Sequence, residues 1–124
     1  MTLGAEEAGK AHVHSRGLVK AARLAREFAN RAVAHKGNLL LLRPVDALAL
    51  VSRAAEEGVP IVGIDGLRVS ETATESPIEH LADFSAAVAD GHGCWEEAEA
   101  FIRERSELGL VFELTLGSDP IEAV

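Results

Sequence analysis

Between residues 16 and 36 the apolar and polar positions alternate with a helical period. At about 100° per residue, Leu18, Ala21, Leu24, Ala25, Phe28, Ala29 and Ala32 share one broad face. Arg16, Lys20, Arg23 and Arg31 fall on the opposite face, with Glu27 among them. The pattern predicts an amphipathic helix over 16–36, stopped at Gly37. Residues 1–15 carry no apolar period and read as a flexible tail. The leucines of 39–42 fit a buried strand or a buried helical turn, because periodicity cannot separate the two in so short a run. After Pro44, residues 45–57 predict a second helix with Leu48, Val51 and Ala55 on one face and Gly58 at its end.

Residues 59–70 read V-P-I-V-G-I, then Asp65-Gly66, then L-R-V-S. Two β-rich runs around Asp-Gly predict a hairpin, with strands 60–64 and 67–71, since a tight turn of this kind favours residues that accept positive φ. Residues 72–75 follow as a loop. Ser76-Pro77-Ile78-Glu79 has the form of a capping box and predicts a helix over 77–89, although the alternation across 81–85 also fits a strand. Asp90-Gly91-His92-Gly93 breaks the chain. Residues 95–107 predict a helix with Trp95, Ala98, Phe101 and Ile102 on one side and Gly109 as its stop. Residues 110–116 alternate strictly, placing Leu110, Phe112, Leu114 and Leu116 on one face of a half-buried strand.

These elements specify an α+β fold. About four helices pack on a three- or four-stranded, mainly antiparallel sheet that contains a 60–71 hairpin. The expected organisation is one domain over 16–117, between tails at 1–15 and 118–124. Two sheet edges need covering, which makes a homodimer an expectation.

Charge changes the picture more than composition does. Residues 1–53 hold nine Lys/Arg against four acids, and residues 54–124 hold three against sixteen, so +5 faces −13 within a net −8. General affinity for nucleic acid is disfavoured by that surplus, because phosphate binding needs excess Lys/Arg. The single cysteine, Cys94, precludes an internal disulfide and fits a reducing, cytoplasmic compartment. No apolar run approaches the roughly 20 residues of a membrane span, and the first fifteen residues lack a signal-peptide core.

Three constellations could carry chemistry. Asp90, His92 and Cys94 put three metal-capable groups within five residues, but a structural zinc site draws on separated ligand pairs, no second pair lies at a suitable spacing, and nothing fixes the tail that carries His12 and His14. Cys94 opens a helix, where the dipole favours a thiolate, yet Glu96 and Glu97 oppose it. Glu79, His80 and Asp83 could share a helix face, where first-turn acids ordinarily complement the dipole. No P-loop, dinucleotide fingerprint, nucleophile elbow or zinc-protease helix is present, so a non-enzymatic chain without a cofactor is expected.

Residues 39–66 resemble a stretch of the periplasmic sugar-binding proteins: a strand, a helix whose end reads A-A-E-E-G-V-P-I-V-G-I-D over 54–65, and a following aspartate that in that family lies near the ligand cleft. That family's two doubly wound lobes exceed 124 residues, so the likeness stays local. A second resemblance, in style, is to the small acidic α+β proteins of the toxin-immunity type. It is carried by Ile64-Asp65-Gly66-Leu67, Ala82-Asp83-Phe84-Ser85, Trp95-Glu96-Glu97-Ala98 and Val111-Phe112-Glu113. It implies capping of a partner protein without chemistry.

The expectation is therefore a protein–protein interaction module. Glu71, Glu75, Glu96, Glu97, Glu99, Glu104 and Glu107 would meet the partner. The alternative is a small-molecule or metal-binding domain using the 90–94 loop. Nucleic-acid binding through Arg16, Lys20, Arg23 and Arg31 ranks third, because that stripe also balances the acidic remainder or the acidic face of another copy.

Overall fold

A computed structural model of the chain describes residues 9–36, 39–69, 74–75 and 80–117, with side chains for 19–33, 40–69 and 80–117. In chain order the elements are α1 (Gly9–Phe28), β1 (Ala34–Lys36), β2 (Leu39–Leu41), α2 (Pro44–Glu57), β3 (Ile61–Val69), β4 (Thr74–Glu75), β5 (Leu81–Asp83), α3 (Ser85–Ala89), α4 (Trp95–Glu104) and β6 (Val111–Leu116). The α+β class is as expected: helices pack against an antiparallel sheet.

The spine is β3. Along one edge it pairs antiparallel with β6, from Ile61 opposite Leu116 to Leu67 opposite Val111, with an irregularity between Ile61 and Gly63. Along the other edge β5 pairs with Gly63–Asp65, and β4 pairs further on with Arg68 and Val69. The Asp65-Gly66 hairpin is thus overturned. Both residues lie inside one nine-residue strand, and Gly66 is not among the positive-φ glycines. The physical reason is packing. A Cβ on Gly66 would stand 3.1 Å from His80 Cβ and 3.2 Å from Leu110 Cδ1, so this glycine permits close approach and not a turn. The chain reverses after Val69, whose ladder partner is Thr74.

A different hairpin takes its place. β1 and β2 pair antiparallel, from Ala34 opposite Leu41 to Lys36 opposite Leu39. This corrects the 16–36 helix. It runs instead from Gly9 to Phe28, passes through a 3-10 turn at Ala29–Arg31, and gives way to β1. Val33 N donates to Leu41 O at 2.8 Å, so the backbone that would have continued the helix is bonded across the hairpin. The helix also begins seven residues before Arg16, which turns the second half of the expected 1–15 tail into helix. β2 settles the leucine run as strand. Leu42 then exchanges backbone bonds with Phe112 at 2.8 and 2.9 Å, joining this hairpin to β6.

Two further segments differ in part. Residues 76–79 lie outside the described residues, and the expected 77–89 helix is reduced to α3. Residues 81–83 are strand, the weaker of the two options, because β3 supplies their ladder partners. Asp83 Oδ1 accepts from Ser85 N at 2.9 Å and starts α3. α4 stops at Glu104, and its last expected turn is irregular before Gly109, which adopts φ 74°. β6 matches its pattern, and α2 matches in extent, with Gly58 closing it in the left-handed conformation at φ 72°; its expected face is corrected, because Ala47, Leu50, Val51 and Ala54 are buried against the sheet while Leu48 is half-buried and Ala55 exposed.

The helices α1, α2 and α4 cover the sheet face that carries Ile61, Ile64 and Phe112. Leu24 and Phe28 enter from α1, Leu50 and Ala54 from α2, and Ala98 and Ile102 from α4. α2 is the central helix, with α1 on one side and α4 on the other.

Candidate functional site

The stretch 90–95 is built as an anchor. Asp90 closes α3, Gly91 turns at φ 95°, and Cys94 adopts φ 64° as the residue before α4. Such a φ is uncommon for a residue with a side chain and costs about 1–2 kcal/mol, so the surroundings must enforce it. They do so through Trp95. Its ring lies over Gly93, within 2.4 Å of where a Cβ would be, and its Nε1 donates to Val59 O at 2.7 Å. Ile61 N donates to Gly93 O at 2.9 Å. The loop is thereby tied to the start of β3 at both its carbonyl and its indole.

This arrangement separates the three metal-capable residues. Cys94 points inward and is 5% exposed, while Asp90 and His92 are exposed. Sγ of Cys94 lies 3.9 Å from His92 O. Burial, and then the charge of Glu97, push the Cys94 thiol up, away from the thiolate. Among the described residues no three His, Cys, Asp or Glu side chains gather in a metal-binding group. The other trio disperses too. Glu79 lies outside the described residues, His80 is buried with its Nδ1 3.3 Å from Arg105 Nε, and Asp83 is held low by its bond to Ser85.

The basic stripe meets the acids of α2. Arg23 lies 3.7 Å from Glu57, Arg31 lies 3.7 Å from Asp46, and Lys20 Nζ donates to Glu57 O at 3.3 Å. That carbonyl belongs to the last turn of α2, where a cation complements the helix dipole. Arg53 returns the contact: it grips Glu27 of α1 at 2.8 and 3.1 Å and also reaches Glu56 at 2.7 Å. Arg53 was not singled out by sequence, although a cation four residues before Glu57 is a readable pairing. The side chain of Arg16 is not among those described.

The acidic residues take a different course. Glu96, Glu97, Glu99, Glu104 and Glu107 are all exposed, on α4 or just after it. Glu99 pairs with Arg103 at 2.8 Å and Glu104 with Arg105 at 3.2 Å. Glu96, Glu97 and Glu107 have no cationic partner among the described residues. Glu75 lies in β4 with its side chain undescribed, and Glu71 lies outside the described residues. Arg105 is itself drawn inward, its guanidinium 3.8 Å from the centroid of Phe101 and bonded to Phe101 O.

Two features escaped sequence reading. Asp65 and Glu113 stand opposite each other on neighbouring strands, and burial together with the Asp65 charge pushes the Glu113 carboxyl up. Alternation places both side chains on the sheet face away from the core, but register cannot be read before the strands are paired. The second is a groove of about 520 Å³ between α2 and α4. Val45, Leu48, Ser52 and Ala55 line one side, and Trp95, Glu96 and the paired Glu99 and Arg103 line the other. Among the described residues no helix is long and apolar enough to cross a membrane.

No protein-family model matches this chain, and no curated protein matches it in sequence.

Proposed function

We propose that this chain is a non-catalytic protein-binding module that presents the acidic surface of α4 to a basic partner protein, in the manner of an immunity-type inhibitor or regulator. One observation supports the reading above the others: the sorting of charge. The cations Lys20, Arg23, Arg31 and Arg53 are engaged by α1 and α2 themselves, whereas Glu96, Glu97 and Glu107 face solvent without a cation among the described residues. A surface of this kind steers a basic partner and repels acidic ones. A buried, protonated Cys94 fits a reducing compartment, which makes the cytoplasm the proposed location.

The test is capture from lysate of the source cell with the wild-type chain and with a Glu96→Lys, Glu97→Lys, Glu107→Lys variant, at low and high salt. The expected result is a basic protein retained at low salt by the wild-type chain and lost with the variant. Equal recovery with both chains, or no salt-sensitive partner, would overturn the proposal.

A further inference from the structure

The sheet face opposite α1, α2 and α4 takes no part in the core. Ladder register builds it in rows across β5, β3 and β6. Asp83, Gly63 and Thr115 form the first row, and Leu81, Asp65 and Glu113 the second. Leu67 and Val111 form a third row of two. Leu81 is 54% exposed, Leu67 and Val111 are half-buried, and none of the three belongs to the core cluster. Gly63 contributes no side chain, and a shallow depression of about 270 Å³ lies over it. Every ionisable side chain lining that depression is an acid: Asp65, Asp83 and Glu113. Neighbouring strands lie about 4.8 Å apart and alternate residues about 6–7 Å, so the Cα atoms of all three acids stand about 5–8 Å from that of Gly63.

The arrangement is costly to the fold. Asp65 and Glu113 stand directly opposite each other, where like charges destabilise a ladder. Burial and the Asp65 charge push the Glu113 carboxyl up, while the bond from Ser85 holds Asp83 low and charged. We infer that this sheet face is a second docking surface, and that it receives a basic segment of a partner protein. One Lys or Arg side chain of that segment sits over Gly63 among Asp65, Asp83 and Glu113, and apolar neighbours of that side chain rest on Leu81, Leu67 and Val111. The surface is separate from the acids of α4, because α4 packs on the other side of the sheet. Charge complementarity selects the occupant. A cation over Gly63 offsets the repulsion between Asp65 and Glu113, and the exposed apolar residues beside it match a protein segment better than a bare ion. A second copy matches poorly, because a two-fold contact through this face sets the three acids of each protomer against those of the other.

The test is an amide NMR titration of the full chain at about 0.15 M salt, where distant charges are screened. The probe is a short capped peptide of alternating lysine and leucine. An alternating glutamate–leucine peptide and spermidine serve as controls. The expected result is a set of shifts centred on Gly63, Asp65, Leu81 and Thr115 with the lysine–leucine peptide alone. Glu113→Gln and Asp65→Asn should each weaken that binding about three- to tenfold, and Leu81→Ser about threefold. Glu113→Gln removes one of two opposed charges and does not weaken the fold, so its loss of binding is not a loss of structure. The Glu96→Lys, Glu97→Lys, Glu107→Lys variant should bind the peptide on this face within about twofold of wild type.

Shifts confined to residues 96–107 overturn the inference and leave the α4 reading in place. Shifts on the sheet face, alongside equal lysate capture by wild type and the triple-lysine variant, support it and remove the α4 reading. Equal shifts with spermidine make the face a bare cation site and overturn the protein occupant. No shift at any amide sinks the inference, as does self-association that Leu81→Ser abolishes.

Discussion

Gly93 shows how a residue without a side chain can be fixed by its neighbour. The ring of Trp95 occupies the position that a Cβ would take, at 2.3–2.4 Å. Gly93→Ala must therefore displace the indole and break its bond to Val59 O. The expected outcome is a loss of about 1–3 kcal/mol in chemical denaturation together with a red shift of Trp95 emission. A variant with wild-type stability and emission would contradict this packing. Glu113 makes a separate case. Burial and the Asp65 charge raise its proton affinity in the folded chain above that in the unfolded chain. Stability therefore rises as pH falls through the window just above the ordinary carboxylate range, and it is lowest once Glu113 is ionised. Glu113 is only half-buried, so the effect is modest. Glu113→Gln should raise the thermal midpoint at pH 7 by roughly 1–3 °C, with the gap closing near about pH 4. A gap that widens on acidification would reverse the assigned sign.

At the scale of elements, α1 and α2 are held by an ion-pair clamp over a shared apolar seam. Arg53 bonds Glu27 through two nitrogens, and Arg23 and Arg31 reach back to Glu57 and Asp46. The groups are exposed or half-buried at the surface, so the clamp is screened by salt. Arg53→Met keeps the aliphatic stem and removes the fork. Its thermal midpoint should fall below wild type at low salt and converge with it in molar NaCl. A gap independent of salt would mean that packing, and not charge, is lost. The elements also show what a sequence can and cannot convey. β6 was legible because its alternation agrees with its burial, and α2 was legible in its bounds through Pro44 and Gly58, whereas its buried face was not, because in a helix so rich in Ala, Leu and Val several faces are apolar. The hairpin was legible as a kind of signal and misplaced as a location. Asp65-Gly66 is a turn dipeptide by its letters, and only the partner strands show that it lies inside a strand. β6 lies along Asp65 and Gly66, and β2 lies opposite β1. The acidic face of α4 was readable from its letters, whereas the groove was not, because Val45 and Trp95 meet only through the packing of α2 on α4.

Across the whole molecule, Phe112 is the point at which the layers join. It is fully buried, it stands opposite Gly66 in the β3–β6 ladder, and its backbone exchanges both bonds with Leu42. The β1–β2 hairpin connects to the main sheet through that bridge, and the side chain fills the core under α2 and α4. Gly66 opposite carries no side chain, so β3 offers none at that position to fill a cavity made at Phe112. Phe112→Ala should therefore fall within the full cost of a large core truncation, about 3–5 kcal/mol. Set against a total stability on the order of 5–15 kcal/mol, that leaves the chain marginal. Phe112→Leu keeps most of the volume and should cost less than half as much. Urea denaturation of the two variants distinguishes this from a local effect: the midpoint should drop in that order at constant slope. A loss below about 1 kcal/mol for Phe112→Ala would show that the hairpin and the sheet are joined by backbone alone.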